Sequence, residues 1–225
     1  MRTVLAIEAS NPSASAPGAC VGRVGNTGVE VLGRSTDDPA RASDGVMLAV
    51  SRACEKAGVA PADLDAVAVC VGPGGYTALR IATTSAKTLA FALGVPLIPV
   101  YAAEVAARSV GTDHRPALIA LASKKSAAHL TLLEPDGSLR DLGVRTADAV
   151  PPGVRALVAD AHLPEAFAAR ARELGVAPAP LMLSPEACLA CCVGREGTDP
   201  DRVSPLYARE PDAVTQWRER HGSRS

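Results

Sequence analysis

Three glycines and a proline occupy residues 72–75, where the apolar run AVAVCV at 66–71 gives way to a helical pattern. Glycines at such a turn tolerate positive φ and allow close approach of the backbone, and the first N–H groups of the helix can bind an anion. Phosphate binding is therefore one interpretation. Against it, Pro73 lacks an N–H group, and the spacing matches neither the dinucleotide-binding fingerprint nor the P-loop. The motif itself favours the other interpretation, a tight structural turn.

A second group with chemical potential follows the first apolar run of the chain. Glu8 and Ser10 lie just past the predicted strand at 3–7. An acid at this place could hold a divalent cation, but no glycine stands beside it to admit a phosphate closely. In the second half, Ala122 and Ser123 stand where an equivalent acid would fall. We therefore predict no catalytic residues, and we treat Glu8 and Ser10 as candidates for a vestigial nucleotide site.

Cysteines and histidines are the remaining candidates for a reactive or metal site. The stretch CLACC at 188–192 contains a Cys-x-x-Cys pair, but a second pair is absent and the four histidines are scattered. Four zinc ligands therefore cannot be named. Ser184 and Pro185 predict a helix start that places all three of these cysteines on one apolar face. The sequence predicts core packing for them and no metal site.

Composition limits the classes of function. The chain has 225 residues, of which 48% are hydrophobic and 3% aromatic, and its formal net charge is -1. It can form a large core, but it lacks both the basic excess and the aromatic platforms of a protein that binds nucleic acid unaided. No secretory leader and no run of about 20 apolar residues is found, and the six cysteines lie in apolar stretches. We expect a cytoplasmic protein without a membrane partner.

The elements that would position these residues occur in two similar halves. Each half begins with strands and a hairpin signal and continues with helices and further strands. The polar break at 111–116 predicts one lobe over 1–110 and a second, with a charged tail, over 111–225. The pattern predicts a duplicated α/β fold. Strands are expected at 3–7, 19–24, 28–34, 66–71, 95–100, 117–122, 129–144 (a hairpin) and 154–159, and helices from 43 or 44 and over 77–93, 101–110, 164–174 and 185–193.

The helix at 77–93 carries only two charges, Arg80 and Lys87. Its apolar residues form one face, and a second face consists of small residues that include Ser85 and Thr88. A helix that is apolar on more than one side needs burial on more than one side. Either the chain covers both faces itself, or one face packs on its own sheet and the other on a partner.

Three stretches in order and spacing resemble a known family. They are VLAIEAS at 4–10, DLDAVAVCVGPGGYTALRIATTSAKTLAFALGVPLIPV at 63–100, and PLYARE at 205–210. The chain is similar in these stretches to the TsaB (YeaZ) family, and the middle block is the most specific. The resemblance implies two lobes of the actin-like ATPase (ASKHA, ribonuclease H-like) type, with mixed sheets flanked by helices.

The same resemblance implies a non-catalytic subunit of the bacterial system that makes threonylcarbamoyladenosine next to the tRNA anticodon. Such a subunit pairs through N-lobe helices with TsaD, which carries the metal and transfers the threonylcarbamoyl group. The ATPase TsaE joins the complex, and tRNA is contacted mainly indirectly. Separately from the resemblance, an apolar pairing face allows a homodimer when TsaD is absent. No cofactor is implied beyond weak ATP or ADP binding. The expected partner-facing residues are Gly72, Pro73, Gly74, Gly75, Tyr76, Thr77, Leu79, Arg80, Ser85 and Thr88.

The chain also departs from the family pattern. Family members usually have Asp at the position of Glu8, His at that of Ala42, and a D-A-R-x-x-E-[VI]-Y stretch where this chain has ASKKSAAHL at 122–130. The alternative is therefore an independent ASKHA-class ATPase or small-molecule kinase that uses Glu8 and the 72–75 turn. A metallopeptidase is a third possibility, for which the sequence lacks the ligands.

Overall fold

The computed structural model describes residues 1–11, 16–36 and 45–208, together with 217, 220 and 221. Within these residues the chain forms two five-stranded mixed sheets with helices against their faces. The predicted α/β fold of two similar lobes is confirmed. The expected start of the first helix at 43 or 44, and most of the charged tail, lie outside the described residues.

The first sheet is built around the N-terminal strand. Its order is β3-β2-β1-β4-β5, with β1 antiparallel to β2 and parallel to β4. All seven residues of β4 are buried, as expected for a continuously apolar strand between two layers. The strands are β1 (Arg2–Glu8), β2 (Gly18–Val24), β3 (Val29–Thr36), β4 (Ala66–Gly72) and β5 (Leu97–Tyr101), and the helices are α1 (Gly45–Ala57), α2 (Tyr76–Leu93) and α3 (Ala102–Ala107).

The second sheet repeats this topology. Its order is β10-β9-β6-β7-β8, and β6 is again antiparallel to the next strand, β7, and parallel to β9. The β7–β8 hairpin turns at Gly137, whose φ of 90° supports the turn predicted from Pro-Asp-Gly. The strands are β6 (Ala117–Lys124), β7 (Ala127–Leu133), β8 (Leu139–Thr146), β9 (Ala156–Ala159) and β10 (Ala177–Pro180), and the helices are α4 (Glu165–Glu173) and α5 (Pro185–Ala190).

Alternation along the central strands distributes the side chains over three hydrophobic clusters. Leu5 and Ile7 of β1 face α1 and α2, whereas Val4 and Ala6 face a second cluster with α3 and α5. That second cluster also contains residues of the second sheet, such as Ile119, so it joins the two lobes. The third cluster lies under α4. Among the described helices, none is both long and apolar enough to span a bilayer.

The chain returns to the first sheet near its C-terminus. We call residues 197–207 the C-terminal strap. Thr198 pairs with Leu97 at the edge of β5, and the Leu206 N–H donates to the Val71 carbonyl at 2.7 Å. The two sheets fall on either side of residue 110, but α5 and the strap pack against the first sheet, so the division at 110 remains a prediction.

Several local predictions are wrong. The third helix covers 102–107 instead of 101–110, and the last covers 185–190 instead of 185–193. Strand β10 is absent from the predicted elements, because its Ala-Pro alternation carries no strand signal. Met47 fits the helical spacing of α1 but is 47% exposed. Helical spacing alone does not fix how far the buried face extends around a helix.

Candidate functional site

The turn between β4 and α2 packs against its own chain. A Cβ atom on Gly74 would lie 2.1 Å from the Ser10 carbonyl oxygen, and the Gly75 N–H donates to that same oxygen at 2.8 Å. Gly72 has a φ of 108°, a region that favours glycine. The glycines of this turn therefore let it lie in direct contact with the backbone that follows β1. The sequence predicted such a close approach, either to a phosphate or within a tight structural turn.

Glu8 lies directly beneath this contact. Its side chain is only 1% exposed, and its Oε1 accepts hydrogen bonds from the Ser10 N–H at 2.7 Å and the Ser10 hydroxyl at 2.6 Å. Oε2 has no hydrogen-bond partner among the described residues. Burial is the main cause that raises the pKa of this carboxyl above 4.5, and the hydrogen bonds from Ser10 oppose it.

These residues do not fit a phosphate cradle. Glu8 and Ser10 are both buried, the Gly75 N–H is already bonded, and Pro73 has no N–H group. Glu8, Ser10 and the Gly75 N–H are therefore not available to a nucleotide at this place. The adjacent Asn11 instead donates from Nδ2 to Asp160 Oδ2 at 2.7 Å and links the two lobes.

The helix that follows the turn has one buried and one exposed face. Leu79, Ala82 and Ala86 are buried as predicted. On the opposite side, Thr77, Ile81, Thr84, Thr88 and Phe91 recur at helical spacing; Ile81 is half-buried and the other four are exposed. We call these five residues the α2 stripe. Over 14 residues the stripe is about 21 Å long.

The expected partner-facing residues divide into two groups. Gly72, Pro73 and Leu79 are buried in this chain, so a role for them in pairing would be indirect and stays a prediction. Leu79 packs into the space left by the missing side chain of Gly72. A Cβ atom on Gly72 would lie 2.9 Å from Leu79 Cδ1. These three residues support the surface from beneath. The others are exposed or half-buried: Gly74, Gly75, Tyr76, Thr77, Arg80, Ser85 and Thr88.

Sequence reasoning missed three aromatic residues on this side of the molecule. Phe91 is 78% exposed and lies in register with the α2 stripe, at i+7 from Thr84, so its spacing could have revealed it. Tyr101 is 51% exposed and pairs with Gly72 across the sheet edge. Tyr207 is brought by the strap to 4.9 Å from the Tyr76 ring, measured between centroids, and no sequence signal predicts this contact.

An aromatic corner thus forms where α2 begins. It consists of Tyr76, Tyr207 and Arg80. The Arg80 guanidinium lies 5.5 Å from the centre of the Tyr76 ring, within the range of a cation–π contact. A surface of tyrosine and arginine next to apolar residues has the composition of protein interfaces.

The cysteines belong to the core. All six are buried, and burial raises the pKa of the Cys192 thiol to about 12. Cys188, Cys191 and Cys192 lie in the cluster that joins the lobes, which confirms the predicted core packing. Within the part of the chain that the structure describes, no three His, Cys, Asp or Glu side chains converge as metal ligands would.

These features define a two-lobed α/β protein with an exposed, weakly charged helical face. A family model described as "TsaD: tRNA N6-adenosine threonylcarbamoyltransferase" matches residues 40–172, more than half of the chain. The chain belongs to this family.

Curated relatives match the chain over a shorter segment. Two proteins named tRNA N6-adenosine threonylcarbamoyltransferase, from Geobacillus kaustophilus and Shouchella clausii, are 36% and 38% identical over 106 and 107 residues. These segments are 46% and 47% of this chain and 31% and 32% of the relatives. The chain therefore spans about a third of the length of the curated relatives it matches.

Solved structures match nearly the whole chain. YeaZ from Pseudomonas aeruginosa superposes with a TM-score of 0.70 at 20% identity and covers 92% of this chain and 100% of its own. A second structure, described as an uncharacterized protein with similarity to peptidase YeaZ from Pseudomonas aeruginosa, gives the same TM-score and identity and covers 93% of this chain. The fold is that of YeaZ, in agreement with the TsaB (YeaZ) resemblance noted in the sequence.

Proposed function

We propose that this chain is a non-catalytic subunit that pairs with TsaD and supports transfer of the threonylcarbamoyl group to the tRNA adenosine next to the anticodon. The observation that carries the proposal is the exposed α2 stripe, which ends in the aromatic corner. The stripe lies within the region that the family model matches, and it combines a largely exposed phenylalanine, Phe91, with uncharged threonines.

The charge pattern of α2 supports a protein partner. Of its two charged residues, Lys87 donates from Nζ to the Val203 carbonyl at 3.0 Å and is held within the chain. Arg80 lies over Tyr76 at the aromatic corner. The stripe consists of threonines and apolar residues. A shallow depression on the N-terminal half of α2 is lined by Tyr76, Thr77, Arg80, Ile81, Thr84 and Ser85. Apart from Arg80, such a face can pair with a similarly weakly charged helix without burying a charge.

The buried state of Glu8 and the packed turn support a role without catalysis. In this proposal TsaD provides the chemistry, TsaE is reached through the complex, and tRNA is contacted mainly indirectly, all in the cytoplasm. Without TsaD, the same face would pair two copies of this chain.

The test is reconstitution of tRNA threonylcarbamoylation with the organism's own TsaD, TsaE and threonylcarbamoyl-adenylate synthase. Modified adenosine is measured by mass spectrometry of digested tRNA, with and without this protein. We expect modification to require it and the protein to co-elute with TsaD. Equal modification without it would overturn the proposal, and saturable ATP turnover by the isolated chain would favour an ATPase.

The surface itself is tested with charge substitutions. Thr88→Glu and Ser85→Glu each place a carboxylate in the face that pairing would bury, so TsaD affinity should fall at least about tenfold. Ala166→Glu, at an exposed position of α4 in the other lobe, is the matched control. If both α2 variants bind TsaD as tightly as the control, this face is not the interface.

A further inference from the structure

We infer that Glu8 is a positioning residue for the partner-facing side of α2, acting through Ser10 and the Gly74–Gly75 turn. The inference rests on the proposed function, since it assigns a role within the pairing surface. It also assigns a structural role to Glu8 and Ser10, for which the sequence suggested only a vestigial nucleotide site.

The first step is the contact between Glu8 and Ser10. One carboxyl oxygen, Oε1, accepts from both the backbone N–H and the hydroxyl of Ser10, at 2.7 and 2.6 Å. Ser10 is fully buried. Two hydrogen bonds from one residue to one oxygen restrict both its backbone N–H and its side chain, so Glu8 holds in place the residue whose carbonyl faces the turn.

The second step is the contact between Ser10 and the turn. The Ser10 carbonyl accepts from the Gly75 N–H at 2.8 Å, and Gly75 is the N-cap residue of α2. No side chain caps this helix. The turn is pressed so closely onto Ser10 that even a methyl group at Gly74 would overlap the carbonyl oxygen. The start of α2 is therefore located by the residue that Glu8 holds.

The third step is the surface that depends on this location. Tyr76 and Thr77 follow Gly75 immediately, and Arg80 lies one turn later. All three are exposed. Because a helix moves as a rigid element, a shift of its first turn changes the positions of Tyr76 and Arg80 relative to Tyr207 of the strap and to a docked partner.

The surroundings of Glu8 agree with a role inside the protein. The titratable groups around the carboxyl are the thiols of Cys70 on β4 and Cys188 on α5, both buried. Asn11, in the same loop as Ser10, is tied to Asp160 of the other lobe. Residues 10 and 11 of the loop after β1 are thus held by Glu8 and by the second lobe respectively.

The test compares Glu8→Ala, which removes the acceptor, with Glu8→Gln, which keeps an oxygen that Ser10 can use. Ser10→Ala removes only the hydrogen bond from the Ser10 hydroxyl to Glu8. It is the variant to measure if Glu8→Ala does not fold. Thr131→Ala, at a buried polar position in β7 of the second sheet, controls for general loss of stability. TsaD affinity and amide hydrogen exchange across residues 73–80 are measured for each.

We expect Glu8→Ala to weaken TsaD binding about tenfold and to raise exchange at the Gly75 amide by a similar factor, and Glu8→Gln to stay within about threefold of wild type. Thr131→Ala should lower the melting temperature with little change in either readout. Unchanged exchange at Gly75 in Glu8→Ala, or binding as tight as in Thr131→Ala, would overturn the inference. If wild type does not bind TsaD, the proposed function fails, and hydrogen exchange alone decides whether Glu8 positions the turn.

Discussion

Glu8 is an acid in an environment that disfavours its charge. Its carboxyl is buried near the thiols of Cys70 and Cys188, and its Oε1 accepts both hydrogen bonds from Ser10. Desolvation penalises the ionised form, and the two bonds from Ser10 offset part of that penalty. A neutral acid can keep both bonds, so the local structure does not require ionisation.

This environment predicts a pH dependence with a definite sign. The folded pKa of Glu8 is raised above 4.5, so between 4.5 and that pKa the folded state binds more protons than the unfolded state. The contribution of Glu8 to stability is fully present below about pH 4.5 and is lost as the pH rises through the folded pKa. Stability of wild type relative to Glu8→Gln should therefore fall as the pH rises, measured by urea unfolding between about pH 4 and 9.

Asp136 provides a control of opposite sign. Hydrogen bonds from Ser138 lower the pKa of this exposed carboxyl below 3.8. Its contribution is present above that value and is lost as the pH falls through the folded pKa. Asp136→Asn should therefore differ from wild type without a trend between about pH 5 and 9. A Glu8→Gln difference that is equally flat would contradict the assigned cause.

The turn between β4 and α2 connects a buried strand to a helix without a capping side chain. Its close fit against Ser10 replaces the cap, and glycine is required at residue 74 by proximity and not by a positive φ. This differs from Gly72, where the φ itself favours glycine. Glycine is therefore favoured at these two positions for different physical reasons, which are close packing at residue 74 and backbone conformation at residue 72.

Gly74→Ala should destabilise the protein by about 1–3 kcal/mol, because the added methyl group must displace either the Ser10 carbonyl or the start of α2. Gly28→Ala, in the β2–β3 turn, is the matched control, since a Cβ there meets no atom within 4 Å. It should change the free energy of unfolding by less than about 0.5 kcal/mol. Equal effects of the two substitutions, measured by denaturant unfolding, would show that the turn can move away from Ser10.

The two halves of the chain are held together by elements of the second half that pack on the first sheet. Leu189 of α5 reaches so close to β2 that a Cβ on Gly22 would lie 2.6 Å from its Cδ2. Glu186 of the same helix pairs with Arg34 of β3. The inner face of the first sheet is therefore covered by residues far away in sequence.

The first 110 residues alone should not fold into a stable unit. Without α5 and the second sheet, the face with Val4 and Ala6 would lose much of its cover, and without the strap the opposite face would lose Val203. We expect fragment 1–110 to bind a hydrophobic dye and to unfold without a cooperative transition. Joining residues 181–208 to it through a flexible linker should restore cooperativity. A cooperative transition of full stability in 1–110 alone would contradict the assigned role of α5.

Much of the fold follows from local patterns. The apolar runs of β1 and β4 and the turn at 135–137 each predict the observed element, because strand patterns and turn chemistry act over a few residues. Boundaries and weak elements were less accurate. The Ala-Pro strand β10 forms only because β9 is present beside it.

The sequence by itself determined the family pattern, the two similar halves and the buried face of α2, since these depend on residue type and spacing along a short segment. Only the tertiary structure decided what the glycine turn contacts, where Glu8 points its carboxyl and which tyrosines meet. Tyr207 lies 131 residues from Tyr76 in the printed sequence. Ser10 and Gly74 also lie far apart in the sequence. Such contacts depend on packing between distant segments, which local periodicity does not encode.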